Sequence, residues 1–427
     1  MRHARTYLQH LFVSAMLSGL LVICINLALD PYGAYRSSAS ESNATKPAVY
    51  RRVKLAKAYD IRRRRPEAIV LGTSRSHIGF RMSHAGWGVP LERRYNAAFD
   101  GATPEEMYRY LEHAQSMHPL RKVLLGLDTW QLSAAPAWTR PDFDGNLLFE
   151  PHHPFHNLSV YAHDLALLLS LDTTWESARE VFSREAPEHW LSPDGQRLGP
   201  AFFHEADPDF MRSPADYFWA IDKQEIRDEL NTGGKSTAHS WALPPSAPTV
   251  KRTNLDYIAA IISFCRKNNI DLRIVLTPSH AHLLEITRLL GLWPVLEKGK
   301  RKLVAILARD AEQNRASKPY PLFDFARYSD ITTEAVPPEG SSKEMRFYWD
   351  PSHFKEAVGD LVLDRVFGTD KSVSMAGFGY VLNTSTIEQV LADIRRRQAI
   401  YERQHNDEVS RIARIIRNIQ QPLKKDK

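Results

Sequence analysis

The longest uninterrupted apolar stretch is Leu11 to Leu29 (LFVSAMLSGLLVICINLAL), nineteen residues without a charge. As a helix it spans about 28 Å, close to the hydrocarbon thickness of a bilayer. Arg2 and Arg5 precede it and Asp30 follows it. That asymmetry predicts a cytoplasmic N-terminus, with the rest of the chain on the other side of an inner membrane, in the periplasm or outside. A cleaved signal peptide is the rival reading. The run is longer than a usual signal core, and no clean small-x-small site precedes Asp30, which favours an uncleaved, single-pass anchor. Leu165 to Leu171 (LALLLSL) is the next apolar run and is too short to span.

Beyond the anchor, short apolar runs alternate with longer periodic ones. Strands are predicted at Ala68–Leu71, Arg94–Ala98, Lys122–Leu127, Leu272–Thr277 and Pro321–Phe325. Their near-continuous apolar character is that of strands buried on both faces of a parallel sheet. Helices are predicted between them at Pro104–Met117, Asn254–Lys267 and Pro294–Asn314. Strands alternating with helices indicate an α/β fold of three layers around an open parallel sheet. The rhythm breaks once, between 131 and 253, where helical patches such as Ala162–Phe182 and Asp216–Leu230 predict a mainly helical insertion capping the sheet edge.

The ends have a different texture. Residues 31–50 are rich in Ser, Ala and Pro and read as a tether. Arg51, Arg52, Lys54, Lys57 and Arg62 to Arg65 follow. They form either the solvated face of a helix leading into the domain or a patch that faces anionic headgroups or an acidic polymer close to the membrane. Near the C-terminus, Ser385-Thr-Ile-Glu388 reads as a capping box. Ile387, Val390, Leu391 and Ile394, then Val409, Ile412, Ile415, Ile416 and Ile419, recur at helical spacing. These helices have basic outer faces. They pack on the domain, lie on the membrane, or pair with a partner helix. The chain thus divides into cytoplasmic N-terminus and anchor (1–30), tether and basic segment (31–66), α/β domain (67–370) with its insertion (131–253), and a basic amphipathic helical region (371–427).

Composition adds little beyond this. The chain has 427 residues, a net charge of +6 and two cysteines. Cys24 lies inside the apolar run, which argues against an intramolecular disulfide, and two cysteines cannot form a cysteine-based metal site. The basic excess suits an acidic neighbour such as lipid or a polyanionic polymer. An external domain argues against nucleic acid as a partner.

Two local motifs carry chemistry. The first strand ends in Gly72-Thr73-Ser74-Arg75, which places a serine just past the carboxyl end of a parallel strand, where open α/β sheets bind ligands. Alone, this is equally a strand-to-helix turn with a capping serine. After the last strand comes Tyr348-Trp349-Asp350-Pro351-Ser352-His353. His353 can serve as general base for a serine while Asp350 fixes the tautomer and orientation of its ring. Alone, this motif is equally a helix cap with an incidental histidine. Together they define a candidate triad of Ser74, His353 and Asp350.

In this combination the chain resembles the SGNH, or GDSL, hydrolase superfamily, over about 250 residues around the insertion. The resemblance implies a flavodoxin-like sheet of five parallel strands in the order 2-1-3-4-5. It assigns Ser74 as nucleophile, His353 as base, Asp350 as orienting acid and Gly101 as an oxyanion donor beside the Ser74 N–H. It implies no cofactor or metal. The chain departs from the family in having G-T-S-R in place of G-D-S-L. It also has Asp128 where the family has an asparagine after strand three. Asp128 is a poor oxyanion donor and is expected to pair with Arg75, whose guanidinium would help hold an oxyanion or an acidic substrate. A G-[TS]-S start behind an N-terminal anchor is similar to proteins that modify bacterial cell-surface polymers.

The resemblance implies an O-acyl esterase or acyltransferase acting on an extracytoplasmic polysaccharide or cell-wall polymer, with a multi-pass membrane acyltransferase as a possible partner. The alternative is a non-catalytic, polymer-binding or assembly protein that keeps the fold. His280 and His282 (PSHAH) follow strand four and serve either as substrate contacts or in loop and capping roles. His152, His153 and His156 match no standard metal-site spacing.

Overall fold

A computed structural model of the chain describes residues 2–35, 47–133, 136–150, 154–182, 191–199, 213–231, 252–314, 318–369 and 378–425. The first helix, α1 (Arg2–Leu29), is long and apolar enough to cross a membrane, and most of its surface is uncovered. The basic segment forms α2 (Val53–Arg64). Then come β1 (Ala68–Leu71), α3 (Ser74–Gly79), β2 (Arg94–Asn96), α4 (Pro104–Met117) and β3 (Lys122–Leu127). The insertion contributes α5 (Pro154–Leu168), α6 (Leu171–Phe182) and α7 (Pro214–Asn231). The α/β rhythm resumes with α8 (Asn254–Lys267), β4 (Asp271–Leu276), α9 (Ala281–Leu289), α10 (Trp293–Gln313), β5 (Leu322–Asp324) and α11 (Glu356–Phe367). The chain ends with β6 (Tyr380–Val381), α12 (Ile387–Gln404) and α13 (Asn406–Lys425).

The strands form one sheet in the order β2-β1-β3-β4-β5-β6. β1 to β5 run parallel, and β6 runs antiparallel to β5, with Phe323 opposite Val381. The sheet is therefore mixed and six-stranded, not wholly parallel. The added edge strand comes from the region after 370, where the sequence predicts helix alone. Alternation along β1 sends Ile69 and Leu71 into one core with α4, α8 and α10, and Ala68 and Val70 into a second core with α11. Both faces of the strand are thereby buried, which is why its sequence reads as an unbroken apolar run.

The outlying segments pack on this body. In α12, Val390, Leu391 and Ile394 join the first core; in α13, Ile412 and Ile416 bury against Ile226 and Ile286. The capping box does not form. Thr386 precedes α12 without a side-chain cap; the Asn383 Oδ1 closes the turn before it, accepting from the Ser385 and Thr386 amides at 2.9 and 3.0 Å. Glu388 turns outward to Arg301. Most of the basic segment is neither a solvated face nor an open cationic patch, though Arg51, Arg52 and Arg65 are exposed. Lys54 pairs with Glu106 and Asp142, Arg62 with Asp164, Arg63 with Asp60, and Arg51 with Glu176. Lys57 is buried, its ammonium donating to the carbonyls of Asn96 and Gly195 at 2.6 and 2.7 Å. Burial lowers its pKa to about 7, against the pull of Asp60 and Asp100.

Candidate functional site

The strand order reverses at β1, whose neighbours are β2 on one side and β3 on the other. The crevice at such a switch point is the usual ligand site of an open α/β sheet, and the chain leaves β1 there into α3. Thr73 is the N-cap of α3, its hydroxyl accepting from the Arg75 amide at 3.3 Å. Ser74 is the first helical residue, so its N–H has no acceptor within the helix. Its side chain is partly exposed.

The Asp350–His353 turn meets Ser74 across 279 residues of sequence, with His353 Nε2 2.8 Å from Ser74 Oγ. His353 Nδ1 lies 2.8 Å from Asp350 Oδ2. Asp350 is fully buried and also accepts the Ser352 and His353 amides at 2.7 and 2.8 Å. A carboxylate that only accepts requires the proton on Nδ1, which leaves the Nε2 lone pair to receive the serine proton. The turn is the tip of a tight antiparallel pair bridging Tyr348 to Phe354, with the Trp349 amide bonded to the His353 carbonyl at 2.9 Å. It is not a helix cap; α11 begins only at Glu356.

Packing holds the two halves at this distance. Phe354 lies against Gly79, where a β-carbon would come within 2.0 Å of its ring. From the other side, Gly359 of α11 lies so close that a β-carbon there would sit 1.7 Å from the Gly79 carbonyl oxygen. Gly359→Ala must therefore push α11 away from the helix that starts with Ser74. The expected cost is about 1–3 kcal/mol, typical of overpacking, measurable by urea unfolding. An unchanged midpoint would show that this contact does not set the position of α3.

Asp128 and Arg75 pair as expected, at 3.5 Å, but neither faces outward. Asp128 is buried and accepts the hydroxyls of Thr73 at 2.7 Å and Thr277 at 2.6 Å. It thus ties the ends of β1 and β4 together, with both carboxylate oxygens engaged by Thr73, Thr277 and Arg75. Arg75, also buried, reaches the hydroxyls of Ser279 at 3.1 Å and Ser352 at 3.4 Å. Its guanidinium braces the triad turn from behind; the expected substrate role is not what its contacts describe. Ser352 in turn donates to Glu225 of α7. Desolvation raises the Glu225 carboxyl above its ordinary range, opposed by Ser352 and Arg75. Sequence reasoning missed Glu225, one acid among several on an amphipathic helix, and missed Thr277 and Ser279, which carry no local motif.

Gly101 adopts a left-handed backbone, φ +62°, a conformation that disfavours any residue with a β-carbon. Its neighbour Asp100 is held by His77 at 3.3 Å and Arg197 at 2.6 Å. Burial alone would raise the Asp100 carboxyl, but these contacts, with a smaller pull from His353, hold it below its ordinary range. The Gly101 loop is thus pinned within electrostatic reach of the triad. His77 is buried and its pKa falls to about 3 through desolvation, aided by Lys57.

His280 and His282 are fully buried and belong to the scaffold; the substrate-contact reading is corrected. His280 Nε2 is 2.8 Å from the Glu334 carbonyl, and burial lowers its pKa to about 3. Its backbone N–H donates to the Pro351 carbonyl at 3.0 Å, which supports the triad turn. His282 sits between Asp222 of α7, at 2.6 Å, and Glu408 of α13, at 3.2 Å. His152 and His153, and the side chain of His156, lie outside the described residues. Among the described residues, no three His, Cys, Asp or Glu side chains gather as a metal site. Compared with protein-family models and with curated proteins, the sequence matches none.

Proposed function

We propose that this chain is a membrane-anchored, SGNH-type serine esterase or O-acyltransferase acting on an extracytoplasmic polysaccharide or cell-wall polymer. The observation that carries the reading is the continuous relay from Ser74 Oγ to His353 Nε2, 2.8 Å, and from His353 Nδ1 to Asp350, 2.8 Å. His353 takes the hydroxyl proton as Ser74 Oγ attacks an acyl carbonyl. The N–H groups of Ser74 and Gly101 receive the oxyanion. The leaving alcohol takes the proton back from His353, and an acyl-serine remains. Water or a sugar hydroxyl then gives its proton to His353 and collects the acyl group, and the departing Ser74 Oγ takes that proton back from His353. Asp350 holds the ring and its tautomer throughout. A fluorophosphonate probe tests this: it should label the wild-type chain at Ser74 and leave Ser74→Ala unlabelled.

One observation favours a second reading, a polymer-binding or assembly protein that keeps the fold. The position after β3 holds Asp128, a carboxylate saturated by Thr73, Thr277 and Arg75, so no side-chain donor is available there for an oxyanion. Absence of fluorophosphonate labelling in folded protein would select this reading.

The apolar α1 and the arginines before it support an inner-membrane location with the domain in the periplasm or outside. There the domain would meet polymer and, for transfer, a multi-pass acyltransferase that supplies acyl groups. A reporter active only in the periplasm, fused after Lys427, should be active; activity of a cytoplasm-only reporter at the same junction would reverse the topology.

A further inference from the structure

The run Leu165–Leu171, too short to span a bilayer, covers the end of α5, the turn and the first residue of α6, and the polarity of α5 is inverted. Its polar side chains face the protein: Asp164 accepts from Tyr59 at 2.6 Å and from Arg62 at 2.9 Å, and His163 meets Asp144 at 3.0 Å. Its outer face carries Phe155, Leu158, Ala162, Leu165 and, just past its end, Leu169, all exposed and three or four residues apart. A water-facing helix has the opposite arrangement. On α6, Leu171, Trp175 and Phe182 are likewise uncovered; Phe155, Leu171 and Phe182 are 87%, 77% and 81% exposed. Scattered apolar side chains are ordinary on a protein surface, but a contiguous patch marks an interaction site.

The position of the patch identifies what covers it. The turn packs on α1, the helix apolar enough to cross a membrane. Asn26 of α1 is fully buried and donates to the carbonyls of Leu168 at 2.8 Å and Ser170 at 3.4 Å, and to the Thr174 hydroxyl at 3.1 Å. The Ser177 hydroxyl donates back to Asn26 at 3.2 Å. Leu169 reaches further along α1, within 3.6 Å of where a β-carbon on Gly19 would lie. Gly19 is ten residues, about 15 Å, from the end of α1. The tip of the α5–α6 hairpin therefore sits beside the apolar span, not below it. Non-helical backbone at that depth must have its carbonyls satisfied within the protein, and Asn26 does this.

We propose that α5 and α6 form a hairpin bedded in the headgroup and acyl boundary of the bilayer that α1 crosses, on the leaflet facing the domain. Phe155, Leu158, Leu165, Leu171, Trp175 and Phe182 contact lipid. Asp172 and Arg179, exposed on α6, limit the depth to this boundary. An amphipathic element of this kind gains from burying its apolar face about 5–10 Å into the interface. Two attachments, α1 and the hairpin, fix the orientation of the domain, so the edge bearing Ser74 keeps a set height above the lipid. The proposal rests on α1 being a membrane span; it does not depend on the triad being active.

The test uses the full chain in a Cys24→Ser background, with Cys265 buried. Single cysteines are introduced by Leu158→Cys, Leu165→Cys, Phe12→Cys within α1, and Ser410→Cys on the exposed side of α13. Each is labelled with an environment-sensitive nitrobenzoxadiazole and reconstituted into phosphatidylcholine–phosphatidylglycerol vesicles with or without doxyl-labelled phospholipid. Labels at 158 and 165 should emit at the blue-shifted wavelength of the label at 12 and lose most of their intensity to doxyl lipid. The label at 410 should emit as in water and keep its intensity. Aqueous emission at 158 and 165 would overturn the proposal. So would blue-shifted but unquenched emission, which would mean that protein, such as a second copy, covers the face. An unquenched label at 12 would remove the span itself and the proposal with it. Fluorophosphonate labelling of the same samples reports on the triad separately.

Discussion

Ser74→Ala is expected to abolish acyl-group turnover, with a loss in rate of about 10⁶-fold if the triad operates as a unit. The Ser74 hydroxyl lies 2.8 Å from His353 Nε2, and alanine leaves nothing at that position to carry the acyl group. His353→Ala should do nearly equal harm, because an unassisted serine hydroxyl is a weak nucleophile at neutral pH. The double variant should be little worse than either single one; free energies that added would mean the two residues act in separate steps. Asp350→Asn is expected to fall by about 10⁴-fold. An asparagine would still fill the turn, but its amide can present a donor to Nδ1 and force the ring into the wrong tautomer. Ser74→Ala should leave the unfolding midpoint almost unchanged, since a partly exposed hydroxyl contributes little to stability. Full polymer modification by Ser74→Ala in cells would end the catalytic reading.

The second large effect is on stability. His282 is enclosed by α9, which carries it, by Asp222 of α7 and by Glu408 of α13, with the neutral His280 and the Tyr401 hydroxyl at its margins. Desolvation alone would lower its pKa, but Asp222 and Glu408 outweigh burial and raise it from 6.5 to about 9. The same contact depresses Glu408 to about 2, so its free energy is counted once. A folded-state pKa above the unfolded value means that the native state holds a proton the unfolded chain releases. The stabilisation is then complete below about pH 6.5, declines as the pH rises, and is gone above about pH 9. A shift of that size corresponds to about 3 kcal/mol. Wild-type protein should unfold more easily at pH 9 than at pH 6.5, beginning with separation of α7 and α13 from the sheet domain. His282→Ala should be destabilised at pH 6.5 and lose most of the pH dependence across this window. A flat wild-type profile from 6.5 to 9 would show that His282 does not hold these helices.

How much of this was readable in the sequence depends on the range of the interaction. β1 and β3 have the boundaries their apolar runs indicate, and β4 is displaced by one residue, because strands buried on both faces cannot conceal their composition. β2 and β5 are shorter than their runs, and β6, with two residues, is too short to show any period. It exists only because the chain after 370 returns to the edge of β5. The Asp350–His353 pair was legible because its partners are three residues apart. Its antiparallel hairpin was not, since the bond between Trp349 and His353 leaves no compositional trace.

Local sequence determined the apolar span, the buried strands, the alternation of strand and helix, and the identity of three side chains suited to one reaction. Those follow from periodicity and from interactions within a few residues. Only tertiary structure decided which charged and titratable groups face outward. Arg75, His280 and His282 all lie near the carboxyl edge of the sheet, and all three are turned into the scaffold, because each finds there partners whose positions depend on distant segments. Arg75 reaches Ser352, and His282 reaches Glu408. The same holds for the hairpin at 154–182. Asp164 and His163 claim the inner face for their own partners, leaving the apolar stripe outside beside α1. A side chain's type limits what it can do; the long-range packing that sets its direction and partners is absent from any local stretch of sequence.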